Sequence, residues 1–323
     1  MFAVTSAWTV CLAVTLHSLA RHSNPERNYR LWVVHDGLEE ENMQELDKAV
    51  SGYPNATLQF MTIPGKLEQM LRRRDVKRFS ALAYARLLAP SLFPRHSRFV
   101  YLDADTVLDA DVAELYDTDL CGAAVGAVRD TAVLSSLVAG YPRRQLRKLQ
   151  PLGLHDPFHY FNSGVLVMNL DQFRLQGIRE RFTYLLETYH FDTVCPDQDY
   201  LNALCFGQVL YLETGWNKMS IDKNYPGTPF LIHYNMFFKP WQYDDIAYGE
   251  IFWEYAKKTA YWEDLRAIRH AFGLKDRLAQ LSANRALHHN ARRIALADQN
   301  FRTVLRPETV EVPLTERLDA YEF

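Results

Sequence analysis

The tract FVYLDADTVL, Phe99 to Leu108, is the strongest constraint on what this chain can fold into. It is an apolar run that ends in two aspartates one residue apart, Asp103 and Asp105. A strand covered on both faces reads as an unbroken apolar run, so this segment belongs in the middle of a sheet. In open α/β sheets the carboxyl ends of the strands are where ligands bind. Two carboxylates placed there can hold a hard divalent cation, and such a cation can hold a diphosphate.

The segments around this tract alternate between strand and helix periods. FAVTS (Phe2 to Ser6), RLWVVHDG (Arg30 to Gly37) and LQFMTI (Leu58 to Ile63) read as strands, the second and third stopped by Asp36-Gly37 and Pro64-Gly65. Helices are expected over Thr9 to Arg21, Glu40 to Val50 and Ser80 to Ala89, the last closed by Pro90. Such alternation implies parallel pairing through crossover helices, an α/β architecture. AAVGAVRD (Ala123 to Asp130) reads as a further strand. Residues 131–158 are irregular, with Gly140, Pro142, Pro151, Gly153 and Pro157, and read as a lid or acceptor loop. Beyond them come a buried strand, FNSGVLVMNL (Phe161 to Leu170), a helix over Asp171 to Tyr189, and a short helix over Pro196 to Cys205. QVLYLE (Gln208 to Glu213) and FLIHY (Phe230 to Tyr234) read as strands, and Glu250 to Arg266 as an aromatic-rich helix. In the tail, Leu274, Leu278 and Leu281 repeat at helical spacing among arginines up to Arg306, and the end is acidic from Glu308. A basic amphipathic tail can be a packing helix, a homo-oligomer contact or a membrane-surface contact.

Composition narrows the class. The 323 residues are 48% hydrophobic and 23% charged, enough apolar content for a substantial core. A net charge of -3 carries no global basic signature, so no nucleic-acid partner is expected. The basic cluster Arg72-Arg73-Arg74 and Lys77-Arg78 reads as a solvated face or a loop touching an anionic ligand. Cys11, Cys121, Cys195 and Cys205 form no metal-like spacing and suit a reducing compartment. Residues 3–20 lack a positive n-region and carry polar residues, so they read as a strand and a buried helix rather than a signal segment. No stretch reaches the roughly 18 unbroken apolar residues of a membrane span.

Asp-Ala-Asp after an apolar strand has two chemical meanings. One is a metal site in a nucleotide-sugar transferase. The other is a phosphatase of the haloacid dehalogenase type, with Asp103 attacking phosphorus and Asp105 as acid/base. The second needs another acidic pair on a strand-end loop, and Asp244-Asp245 follows KPW rather than a strand. A plain turn or capping pair is the third reading. Three later tracts bear on the choice: FNSGV (Phe161 to Val165), PDQDYLN (Pro196 to Asn202) and HYNMFFKPW (His233 to Trp241). With these, the chain from about Phe2 to about Arg266 resembles glycosyltransferase family 8. That family comprises retaining transferases that use sugar nucleotides, among them bacterial lipopolysaccharide galactosyl- and glucosyltransferases and glycogenin.

The resemblance implies a GT-A-type, single Rossmann-like domain with a mixed, mostly parallel sheet over 1–266, followed by a helical, basic tail over 267–323. It implies Mn²⁺ or Mg²⁺ held by Asp103, Asp105 and His233, with Ala104 between the two aspartates at the donor. A site of two carboxylates and an imidazole suits such an ion. Lys239 would contact the diphosphate and Arg86 the donor sugar or diphosphate. Asn162 and Ser163 would lie beside the donor sugar, with Gly164 allowing close backbone approach. Asp197 would accept from sugar hydroxyls and Gln198 would lie near the anomeric carbon. Asp197, Gln198 and Lys239 are thus the expected catalytic residues. Asp199 reads as a helix-turn residue, Trp241 as packing, and Asn217 as a turn asparagine near the acceptor. Ala3, Thr5 and Trp8 match the segment that reads the nucleotide, with Trp8 replacing a tyrosine as stacking plate. Thr5, Ser6 and Ala7 replace the family's acidic and amide groups there, and Met236 stands where members commonly carry glycine. The expected activity is transfer of galactose or glucose from a UDP-hexose to a glycan or lipid-linked glycan hydroxyl. The expected location is the cytoplasm or the inner membrane face. The phosphatase, and a donor-binding relative without turnover, are the alternatives.

Overall fold

The computed structural model describes residues 1–65, 81–131, 133, 159–189, 191–221 and 225–305. The basic cluster at 72–78, all but the first and third residues of the irregular 131–158 stretch, and the acidic end from Glu308 lie outside the described residues.

Strands β1 (Phe2–Val4), β2 (Tyr29–His35) and β3 (Ala56–Thr62) pair in parallel, linked by helices α1 (Thr9–Arg21) and α2 (Glu40–Ser51). The fourth strand, β4 (Arg98–Leu102), joins this group through Met1. The Met1 amino group donates to the Val100 carbonyl at 2.8 Å and the Leu102 N–H donates to the Met1 carbonyl at 3.0 Å. One residue bonding to two positions of its neighbour is the parallel pattern. On its other side β4 pairs antiparallel with β7 (Phe161–Asn169). The strand β6 (Val125–Arg129) pairs antiparallel with β7 and parallel with β8 (Val209–Tyr211). The sheet is therefore mixed, with β4 inside it. A separate ribbon sets β10 (Leu231–His233) antiparallel to β5 (Thr106–Leu108) and parallel to β9 (Lys218–Met219).

The apolar runs follow from coverage of both sheet faces. In β4, Phe99 and Tyr101 pack into one core while Val100 and Leu102 pack into another; in β7, Leu166 and Met168 oppose Val165 and Val167 in the same way. Successive strand side chains point to opposite faces, so a strand with helices on both sides has no position for a polar residue. The first core also holds helices α3 (Ala85–Leu92), α5 (Leu170–Leu175), α6 (Ile178–Thr188) and α7 (Pro196–Leu204); α1, α2 and the short α4 (Val112–Asp117) pack in the second. A third core lies between the other side of α1, β10 and helix α8 (Gly249–Ala256), with Leu265 of α9 (Trp262–Ala271).

Three expected helices differ. The helix expected to close at Pro90 starts as a 3-10 turn (Ala81–Tyr84) and runs on to Leu92 with Pro90 inside it. Proline removes one backbone donor, but burial of Leu87, Leu88, Leu92 and Phe93 outweighs that loss. The helix expected over 171–189 is two, because Gly177 takes φ +59 between α5 and α6. The aromatic-rich helix expected over 250–266 is also two, α8 and α9. Between them the chain turns to bury Tyr261, whose hydroxyl donates to Asn42 Oδ1 at 2.9 Å. The tail forms α10 (Leu274–Ala295) and α11 (Phe301–Leu305). Its end packs, since Ala291, Ile294 and Phe301 are buried in the first core, whereas Leu274, Leu278 and Leu281 are exposed. No helix among the described residues is long and apolar enough to cross a membrane. All four cysteines are free thiols.

Candidate active site

Strand direction brings the site together. Because β1 and β4 run one way and β7 runs back between β4 and β6, the ends of β1, β4 and β6 and the start of β7 share one sheet edge. Asp103 and Asp105 occupy the turn between β4 and β5. The buried Thr15 hydroxyl of α1 pins that turn, 2.8 Å from the Ala104 carbonyl and 2.7 Å from that of Thr106. The Asp103 N–H donates to the Gly164 carbonyl at 2.7 Å, and the Tyr234 N–H to the Asp105 carbonyl at 2.9 Å.

His233 ends β10 with Nε2 3.2 Å from Asp105 Oδ1 and 3.7 Å from Asp103 Oδ2. One ligand atom from each of the three lies within 4.8 Å of the others. Two carboxylates and one imidazole are a donor set that Mn²⁺ or Mg²⁺ accepts. Gly164 makes the convergence possible. A Cβ there would fall 2.3 Å from His233 Cε1 and 2.6 Å from Asp103 Oδ2.

Lys239 lies against the same cluster. Its buried ammonium is 2.5 Å from Asp105 Oδ2 and also donates to the Tyr234 carbonyl. Burial works to raise the Asp105 carboxyl, but the neighbouring Lys239 and His233 outweigh it and hold the group well below the usual carboxylate range. Trp8 is half-exposed and carries Lys239 Nζ 5.4 Å from its ring centre. Trp241 is buried packing, edge-on to Trp8 and tilted on Phe252. Ala3 lies in β1, Thr5 just beyond it, and Ser6–Trp8 forms a 3-10 turn.

Arg86 is buried. Its Nη atoms donate to Asp103 Oδ1 at 3.0 Å and to both the carbonyl (2.5 Å) and hydroxyl (2.9 Å) oxygens of Ser163, its Nε is ion-paired 3.1 Å from Asp197 Oδ2 without making a hydrogen bond, and the guanidinium stacks 4.1 Å over Tyr101. Arg86 thus clamps the metal-side aspartate to the Asp197 side of the cleft. Burial pushes the Asp197 carboxyl up, Arg86 pulls it back and Asp103 adds to the rise.

Gln198 is fixed by two hydrogen bonds. Its Oε1 accepts from the Ser163 N–H at 2.8 Å and its Nε2 donates to Asp130 Oδ2 at 2.9 Å, while the Ser163 hydroxyl donates to Asp197 Oδ2 at 2.9 Å. Asp130 also accepts from Asn162 Nδ2 at 2.9 Å and the Val133 N–H at 2.8 Å. Asp199 is the helix-turn residue expected, accepting from the Val194 N–H at 2.7 Å and the Tyr160 hydroxyl at 2.6 Å. Asn217 ends a 3-10 turn (Thr214–Asn217) and is buried beneath the cluster. It donates to Asn162 Oδ1 and accepts from His233 Nδ1, both at 2.9 Å.

The expected Arg86, Asp103, Asp105, Asn162, Ser163, Asp197, Gln198, His233 and Met236 line one cleft of about 460 Å³, and Lys239 touches Asp105 at its edge. Met236 takes φ +59, the left-handed conformation that glycine favours. Sequence reading passed over Asp130. Its signal was present, since it closes an apolar strand as Asp103 does. It also missed Ala283, Leu287 and Asn290 of α10, which line the cleft without any motif. The acidic pair a phosphatase would need is elsewhere, since Asp244 is exposed and pairs with Arg269.

With this geometry, comparison with known proteins is specific. The family model for Glycosyl transferase family 8 matches residues 1–245. General stress protein A of Bacillus subtilis is 25% identical over 204 residues, 62% of this chain and 66% of that protein. Lipopolysaccharide 1,2-glucosyltransferase of Escherichia coli is 28% identical over 200 residues, 58% of this chain and 56% of that protein. The matched stretch thus falls short of two thirds of these relatives' own length. Among solved structures, the galactosyltransferase LgtC in complex with donor and acceptor sugar analogs superposes with TM-score 0.65 at 25% identity, over 80% of this chain and 95% of that one. The bifunctional glycosyltransferase WbbM superposes with TM-score 0.69 at 23% identity, over 84% of this chain and 51% of that one, a likeness of fold. The fold is that of the GT-A glycosyltransferases. The phosphatase reading of Asp103 and Asp105 is set aside.

Proposed function

This chain belongs to glycosyl transferase family 8, and on that premise we propose that it is a metal-dependent, retaining hexosyltransferase. It moves galactose or glucose from a UDP-sugar to a hydroxyl of a glycan or lipid-linked glycan. The names of the lipopolysaccharide 1,2-glucosyltransferase and the galactosyltransferase LgtC support a hexose and such an acceptor. Residues 1–266 are the catalytic domain and 267–323 a tail. The reaction belongs at the cytoplasmic side, at the inner membrane face. The observation that carries this reading is the Asp103, Asp105 and His233 cluster opening into the same cleft as Asp197 and Gln198.

Mn²⁺ or Mg²⁺ held by Asp103, Asp105 and His233 would neutralise charge on the leaving diphosphate. Lys239 adds a fixed positive charge beside that position, and a donor that meets charge as it develops stabilises the transition state selectively. Asp197 receives hydroxyls of the transferred sugar. Gln198 Oε1 accepts from the Ser163 N–H and Nε2 is tied to Asp130, so the side chain is held as a dipole rather than freed as a nucleophile. That supports a front-face displacement. The bond from the anomeric carbon to the phosphate oxygen breaks, the acceptor oxygen bonds on the same face, and the acceptor proton passes to the departing phosphate oxygen.

The test is nucleotide release from a panel of sugar nucleotides, with and without Mn²⁺, in wild type and Asp103→Asn. Mn²⁺-dependent release from one UDP-hexose, lost in the variant, is expected. Release that Mn²⁺ leaves unchanged, or that Asp103→Asn retains, overturns the metal assignment.

A further inference from the structure

Helix α10 lies outside the family match and yet forms part of the cleft. Gln280, Ala283, Leu287, Ala291 and Ile294 recur at the three- and four-residue steps that define one helix face. At one end Gln280 accepts from the Tyr243 hydroxyl at 2.7 Å and donates to Gln242 Oε1 at 2.8 Å, directly after the Lys239-Pro240-Trp241 segment. At the other end Ala291 and Ile294 are buried and Arg293 pairs with Asp192 at 2.5 Å. The helix is therefore tied at one end to Gln242 and Tyr243 and at the other to Asp192, which directly precedes the cleft-lining Thr193–Pro196. Its middle, Ala283, Leu287 and Asn290, completes the lining between them.

We propose that this middle turn of α10 is the acceptor wall of the cleft, taking the ring of a hexose-type acceptor. The inference rests on the glycosyl-transfer reading above. The sheet edge supplies the groups suited to the donor: carboxylates and imidazole for a metal, a lysine, and the hydrogen-bonding set around Gln198. The α10 lining is different in kind, two apolar side chains and one amide with no charge. A pyranose ring offers an apolar C–H face and a rim of hydroxyls, which such a wall matches, whereas a diphosphate finds no positive charge among these three side chains. Asn290 is half-buried, and its amide supplies both a donor and an acceptor for adjacent hydroxyls. Leu287 and Ala283 cover the C–H face.

The experiment uses the full chain, UDP, Mn²⁺ and a panel of methyl glucosides and methyl galactosides. Saturation-transfer NMR reads hexoside binding, and acceptor-free UDP-hexose hydrolysis reads the donor site. Expected is saturation transfer to at least one hexoside with wild type. Asn290→Ala should weaken that hexoside by about fivefold, the loss of roughly one hydrogen bond. Leu287→Ala should weaken it similarly. Leu278→Ala, on the exposed face, is the control, and melting temperatures establish that each variant is folded; Leu287→Met replaces Leu287→Ala should the latter unfold. No hexoside contact with wild type, unchanged affinity in the folded Asn290→Ala, or a donor KM that rises alone overturns the acceptor wall while leaving donor hydrolysis intact. Absence of hydrolysis and of UDP binding in wild type overturns the functional reading, and this wall with it.

Discussion

His233 Nδ1 donates a hydrogen bond to Asn217 Oδ1 at 2.9 Å, and that bond fixes which nitrogen faces the aspartates. The direction is set by a chain of groups whose polarity leaves no freedom. Asp130 can only accept, so Asn162 turns Nδ2 to it. Asn162 Oδ1 then accepts from the Gly164 N–H and from Asn217 Nδ2. Asn217 is left presenting Oδ1 to the imidazole, so Nδ1 carries a proton and Nε2 is the nitrogen turned toward Asp103 and Asp105. A partner that fixes the tautomer is what a metal-ligating histidine requires.

Replacing Asn217 by alanine removes that acceptor. Mn²⁺ affinity should fall by about 10–100-fold with the fold retained. Isothermal titration calorimetry measures it, and an unchanged affinity would show that the relay does not set the tautomer.

Gly164→Ala places a methyl group where His233 Cε1 and Asp103 Oδ2 now stand. His233 is packed in the interior and cannot swing clear, so the ligands must separate. The variant should lose Mn²⁺ binding and about 1–3 kcal/mol of stability. Wild-type metal affinity in Gly164→Ala would mean the cluster is more compliant than its packing implies.

At Met236 the backbone carries the conformation glycine favours. Met236→Gly relieves that strain but raises the entropy of the unfolded chain, two terms of about 1 kcal/mol each with opposite sign. Stability should therefore stay within about 1 kcal/mol of wild type. Met236→Val, whose β-branch is disfavoured at positive φ, should destabilise clearly. Chemical denaturation of both variants gives the comparison, and equal stability of the two would contradict the backbone assignment.

Burial pushes the Asp199 carboxyl up to about 7, against the pull of the Tyr160 hydroxyl and the Val194 and Cys195 N–H groups. The folded chain then holds this proton more tightly than the unfolded chain. The stabilisation is present below about pH 4 and is lost as pH rises through about 7. Asp199→Asn lacks this titration. The melting temperature of wild type minus that of the variant should fall between pH 5 and pH 8, and a difference flat in pH would show that Asp199 stays ionised throughout.

Much of the frame was legible because it is local. The apolar run of Leu31 to Val34, the largely apolar stretch over Thr9 to Arg21, and the stop at Asp36-Gly37 each depend on neighbours a few positions away, and the structure keeps them. The helix through Pro90 was misread for the converse reason. A local rule ended it, and the burial of Leu92 and Phe93 by distant residues carried it on.

The sequence by itself determined the fold class, the family and many of the residues that converge, since the apolar runs, the DAD turn and the ordered tracts around Asn162, Asp197 and His233 are linear properties of the chain. Tertiary structure alone decided how those residues are wired. Gln198 meets Asp130 across 68 positions and Arg293 meets Asp192 across 101. The polarity of the amide relay and the placing of α10 over the cleft follow from such contacts. Hydrogen bonds and packing act over a few ångströms in space, at any separation along the chain, and a motif records only the residues that happen to be near in both.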